Sequence, residues 1–114
     1  MLRDPEVYLQ DIAQAIALIR DFIGEADFEA FVRDTKTSAA VIRELEIIGE
    51  ATKGIPDVVR ALEPSIEWRK IAGMRDVLIH AYFGIDLAMV WEVVTEKLPD
   101  LEQAVQRLRR RGGI

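Results

Sequence analysis

Apolar positions in this chain recur at spacings of three and four, the period of a helix with one buried face. The first such stripe is Tyr8, Ile12, Ala15, Ile19 and Phe22 or Ile23. Asp4 precedes it as an N-cap, Pro5 suits the first helical position, and Glu6 lies at the positive end of the helix dipole. Gly24 closes it. Residues 27–32 then predict one short helical turn, with Phe28 and Phe31 or Val32 pointing inward. A second long helix opens at Asp34 or Thr35 and carries Val41, Leu45, Ile48 and Ala51 or Thr52 as its stripe. Gly49 in its middle costs about 1 kcal/mol relative to alanine, and close approach of another helix backbone is one reason to keep it.

Gly54 followed by Pro56 reads as a stop, a left-handed cap before a residue that cannot continue the helix. Residues 57–62 give another short helix, ended before Pro64. Ser65 is the expected cap of a third long helix over about residues 66–82, broken at Gly84. Asp86 caps the last helix, with stripe Leu87, Val90 or Trp91, Val94, Leu98, Leu101, Val105 and Leu108. Pro99 falls within it and predicts a kink about one turn earlier. No segment alternates like a strand, and no Asn-Gly or Asp-Gly hairpin turn occurs. The pattern is all-α: an antiparallel four-helix bundle with additional short helices, one domain over residues 1–114.

Composition narrows the function classes. The chain has 114 residues, half of them apolar, enough for one core and too apolar for a disordered tail. It contains no cysteine, hence no disulfide framework, no thiolate metal site and no cysteine nucleophile. No signal segment follows Met1 and no apolar run could span a bilayer, so the expectation is a cytoplasmic protein without a membrane partner. The net charge of −5 argues against a broad electrostatic grip on nucleic acid. Positive charge is local, at Arg69, Lys70 and Arg75 and again at Arg107, Arg109, Arg110 and Arg111. The second group reads as a solvated helix end matching the negative dipole terminus. Any nucleic-acid contact is therefore expected to be local and to need two chains, or one patch, to concentrate charge.

Candidate chemistry gathers in residues 68–86, WRKIAGMRDVLIHAYFGID, which hold the only histidine, His80, with Arg75 before it and Tyr82 after it. Arg75 lies in an apolar run, where a guanidinium needs a partner or a ligand. It could stabilise a phosphate, or simply pair with a nearby carboxylate. His80 has the reference pKa nearest neutrality and suits acid–base catalysis, though a lone histidine is commonly satisfied at a helix end. Asp76 lies four residues before His80 and either orients the imidazole or pairs with it. Tyr82 reads as a site donor or as an aromatic at the bundle rim. Five residues place Arg75 and His80 roughly 140° apart on an ideal helix, so they share a cleft only if the helix loosens near His80. A carboxylate-bridged metal pair would need more than one histidine, and Glu44, Glu46 and Glu50 read as a solvated face or as partners of Arg43 and Lys53. There is no phosphate-cradling glycine loop, no zinc-ligand set and no nucleophile elbow; no metal or cofactor is expected.

Arg75-Asp-Val-Leu-Ile-His80-Ala-Tyr82 resembles the Arg-x4-His-x-Tyr motif of the HEPN superfamily, in particular its HepT-like toxins. The similarity extends to Arg43-Glu-Leu-Glu-Ile-Ile-Gly-Glu-Ala51, to Trp68-Arg-Lys-Ile-Ala-Gly-Met-Arg75, to Tyr82-Phe-Gly-Ile-Asp86 and to Val90-Trp91, and so covers nearly the whole chain. The resemblance implies a metal-independent ribonuclease toxin paired with an MntA-type nucleotidyltransferase antitoxin. It implies that Arg75 and His80 form the catalytic site at a homodimer interface, and that Tyr82 is where the antitoxin adds AMP to silence the toxin. One chain offers a single histidine, whereas cleavage through the 2′-hydroxyl needs a base and an acid; a twofold dimer would supply both. The rival expectation is a non-catalytic helical partner or substrate of the nucleotidyltransferase, with Arg75 and His80 structural.

Overall fold

The computed structural model describes residues 4–80 and 84–112. All regular elements among them are helical: α1 (Pro5–Ile23), α2 (Phe28–Arg33), α3 (Thr35–Lys53), α4 (Asp57–Arg60), α5 (Trp68–Ile79), α6 (Leu87–Glu92), a π-helical turn (Val93–Lys97) and α7 (Leu98–Arg110). The carboxylates of Asp4, Asp27, Asp34 and Asp86 each accept main-chain N–H groups of the following turn, so four helix starts are set by local hydrogen bonds. Gly24 ends α1 with φ of 56°, a conformation that glycine takes without steric cost.

The all-α bundle expected from the periodicity is observed. α1 packs on α3 and α7, and α3 packs on α5. Arg109 at the end of α7 meets Glu6 at the start of α1, while Arg20 pairs with Glu102 farther along, so these two helices run antiparallel. The stripes converge in one core whose fully enclosed members include Ile12, Ile19, Phe31, Leu45, Ile48, Val90 and Leu101. Phe31, not Val32, is the inward residue of α2, and Trp91 lies against its ring at 5.2 Å between centroids.

Four local expectations change. Gly54 has φ of −81° and is no left-handed cap; a side chain there would overlap the Tyr8 ring, which rests on the end of α3. The helix over 57–62 stops at Arg60, and its following turns lead to Trp68. α5 starts at Trp68, not after Ser65, because the indole is buried and its Nε1–H donates to the carbonyls of Arg60 and Glu63. The Pro99 irregularity takes the form of a π-helical turn, closed by a bond from the Leu98 N–H to the Val93 carbonyl. Proline can neither donate to nor tolerate the carbonyl four residues back, and widening the preceding turn removes that clash.

The C-terminal arginines are not simply a solvated end. Arg107 makes a forked contact with Glu63, a buried carboxylate, through Nε at 3.1 and 3.0 Å and Nη2 at 2.7 Å. That hydrogen bonding holds the Glu63 carboxyl below its usual pKa, against the opposing effect of burial.

Candidate active site

α3 and α5 pack closely at Gly49. A Cβ there would lie 3.0 Å from both the Cβ and the N of Arg75, and 3.2 Å from the Ile71 carbonyl oxygen. The mid-helix glycine is thus explained by the near contact of a second backbone. Its neighbour Glu50 is carried to the same place, and Arg75 Nε forms an ion pair with Glu50 Oε2 at 2.9 Å. Nη1 of Arg75 reaches Asp76 Oδ1 at 3.4 Å, an oxygen that Lys53 Nζ also approaches at 3.3 Å. Opposite charges therefore alternate along Lys53, Asp76, Arg75 and Glu50, tying α3 to α5. Glu50 is a partner of Arg75, not of Arg43 or Lys53, and no sequence signal identifies it because the two residues lie on different helices.

The last residue of α5 is Ile79, and His80 caps it with φ of −96° and ψ of 11°. The helix ends at the histidine, whose N–H still closes the last helical turn. The Asp76 carbonyl accepts from the His80 main-chain N–H at 3.1 Å and from its ring Nδ1 at 2.8 Å. A carbonyl can only accept, so this contact places a proton on Nδ1 and leaves Nε2 as the acceptor of the neutral ring. The imidazole is therefore oriented by the Asp76 main chain, while the Asp76 carboxylate serves Arg75 and Lys53. Asp76 is the residue that joins the two candidate groups. Tyr82, the third motif position, lies outside the described residues.

Two grooves flank this region. A polar one of about 640 Å³ runs between α1 and α3 and reaches Arg75, with Tyr8, Asp11, Arg43, Glu50 and Lys53 in its walls. An apolar one of about 640 Å³ separates α5 from the last helical stretch, floored by Ile66, Ile71, Met74, Val77, Met89 and Val93. Val77 on its rim, three residues before His80, is 59% exposed. The positive patch expected around α5 is partly neutralised within the chain, since Lys70 pairs with Glu67 at 2.8 Å and Arg75 with Glu50. Among the described residues, no group of three or more His, Asp or Glu side chains is arranged to hold a metal ion. No helix among them is long and apolar enough to cross a membrane.

The family model described as ribonuclease HepT-like matches residues 12–108, which include both arms of the charge chain and the helix end at His80. The chain is 52% identical over 110 residues to a Thermococcus cleftensis protein named "Probable ribonuclease HepT", covering 96% of this chain and 100% of that one. It is 38% identical over 107 residues to a Caldanaerobacter subterraneus protein named provisionally as an RNase, covering 94% and 96%. A Methanocaldococcus jannaschii protein, also named provisionally as an RNase, is 40% identical over 106 residues, covering 93% and 91%. No solved structure matches the chain.

Proposed function

The chain belongs to the ribonuclease HepT-like family, and from that premise we propose that it is the toxin of a HEPN toxin–antitoxin pair, a metal-independent endoribonuclease. The observation that carries this reading is the 2.8 Å contact of His80 Nδ1 with the Asp76 carbonyl. In a neutral ring whose Nδ1–H is donated to the Asp76 carbonyl, Nε2 is the basic nitrogen. Nε2 takes the proton of an RNA 2′-hydroxyl as its oxygen attacks the adjacent phosphorus. The P–O5′ bond breaks, leaving a 2′,3′-cyclic phosphate and a 5′-hydroxyl. Arg75 donates to the phosphate oxygens where negative charge builds. The leaving 5′-oxygen needs an acid, and a second copy of the chain would bring a second His80 in its protonated form. The exposed Val77 and the apolar groove beside α5 favour that pairing, since apolar surface next to the histidine gains by being covered.

In this reading a cognate MntA-type nucleotidyltransferase adds AMP to Tyr82, two residues beyond His80. The added bulk and negative charge then oppose entry of RNA into the cleft. The test is expression with and without the nucleotidyltransferase, following growth, RNA integrity and the protein's oligomeric state. RNA degradation by a dimer in the absence of the partner is the expected result. A protein that remains monomeric in all conditions removes the two-histidine mechanism.

One observation favours the rival reading, a non-catalytic helical partner of the nucleotidyltransferase. Arg75 is engaged by the carboxylates of Glu50 and Asp76, as a structural arginine would be. Harmless expression together with tight partner binding supports that reading over the enzyme.

A further inference from the structure

We propose that Glu50 is a positioning residue for Arg75, holding the guanidinium through Nε so that its far end faces the scissile phosphate. The inference rests on the ribonuclease reading above. Three observations carry it. First, among the described residues the Glu50–Arg75 ion pair is shorter than the Asp76–Arg75 one, 2.9 Å against 3.4 Å, and Lys53 also approaches the Asp76 carboxylate. Second, Glu50 is placed by the fold: Gly49 brings α3 against the backbone of Arg75 itself, so the next residue reaches the guanidinium from a fixed direction. Third, the contact uses Nε, the donor nearest the stem. Among the described residues no partner lies at Nη2, so the end of the planar group remains a donor face for phosphate oxygens.

An arginine held only by its flexible stem would lose side-chain entropy on meeting the phosphate, whereas one pinned at Nε is already aimed. The carboxylate brings an opposing effect, because its negative charge lies close to the incoming phosphate. Glu50 is therefore expected to act on the chemical step more than on RNA affinity. Glutamine, which keeps the side-chain shape but loses the charge of the ion pair, should serve only in part.

Steady-state cleavage of a mixed-sequence single-stranded RNA by the full chain tests this. In Glu50→Ala, kcat is expected to fall about 10- to 100-fold with KM little changed, the range that small misplacement of a reacting group produces. Glu50→Gln should recover only part of that loss. Glu50→Ala combined with Arg75→Ala should lose no more than Arg75→Ala alone, since a positioning residue has nothing left to position. If Glu50→Ala does not fold, Glu50→Asp, which keeps the charge and shortens the reach, takes its place with the same expectation. Wild-type kcat in Glu50→Ala, or losses that multiply in the double variant, overturn the positioning role. Absence of cleavage by the unsubstituted chain instead overturns the ribonuclease reading, and this inference with it.

Discussion

Gly49 of α3 faces the backbone of Arg75 with no room for a side chain: a Cβ would meet the arginine's N and Cβ at 3.0 Å. Both atoms belong to a packed helix, so α5 would have to move. Gly49→Ala recovers the intrinsic helix propensity that glycine forgoes but incurs overpacking, and the net effect is expected to be destabilising by about 1–2 kcal/mol. Urea unfolding measures it. Because the displaced residue is Arg75, cleavage should fall more steeply than stability. A variant as stable and as active as the parent would show that the two helices can part without consequence.

His80→Ala and Arg75→Ala are each expected to lower RNA cleavage at least about 100-fold, the lower end of what a positioned acid–base or oxyanion group contributes. The fold, and the dimer proposed above, should persist, since His80 is exposed and Arg75 is about a third exposed. Circular dichroism and sedimentation check the second half of the prediction. Cleavage by purified His80→Ala at the parent rate would remove His80 from the chemistry.

Intact-mass measurement after co-expression with the nucleotidyltransferase should show one or more added AMP units. Tyr82→Phe should abolish the shift and leave the protein toxic in the presence of its partner. A shift that persists in Tyr82→Phe would move the modification elsewhere.

The Glu63–Arg107 pair predicts how stability responds to acid. The folded-state pKa of Glu63 is depressed, so its contribution is present above the ordinary glutamate value and disappears as pH falls through the lower folded value. Stability should therefore decline on acidification below about pH 4.5, the range set by the unperturbed carboxyl. Glu63→Gln removes that dependence and is expected to lower stability by about 1–2 kcal/mol, because the forked contact loses its charge. In Arg107→Ala the same carboxylate is buried without its partner, and burial then favours the protonated form. That variant should therefore lose less stability on acidification than the parent, while Asp34 and Glu67, whose carboxyls are also held low by hydrogen bonds, keep the overall decline. Urea midpoints measured from pH 7 down to pH 3 for parent and variant give the difference between the two slopes.

Sequence alone determined what depends on neighbours within one helical turn. The caps at Asp4, Asp27, Asp34 and Asp86 bond to amides two or three residues ahead. The core stripes follow from helical period, and the strain at Pro99 follows from a missing N–H. The motif spacing from Arg75 to His80, with its flanks, likewise pointed to the family before any geometry was known. Tertiary structure decided what depends on partners far along the chain. Ser65 has the chemistry of a cap, yet the start of α5 is set by the buried Trp68 indole and its bonds to Arg60 and Glu63. Gly54 looks like a left-handed stop and is instead the floor beneath Tyr8. Glu50 and Glu63 are two acidic residues among 20 acidic side chains, and nothing local distinguishes them. Their partners, Arg75 and Arg107, come from other helices, and only packing brings a carboxylate within reach of one cation and away from the rest. Gly49 belongs to both lists: its cost within α3 is local, and its reason, the backbone of Arg75, is not.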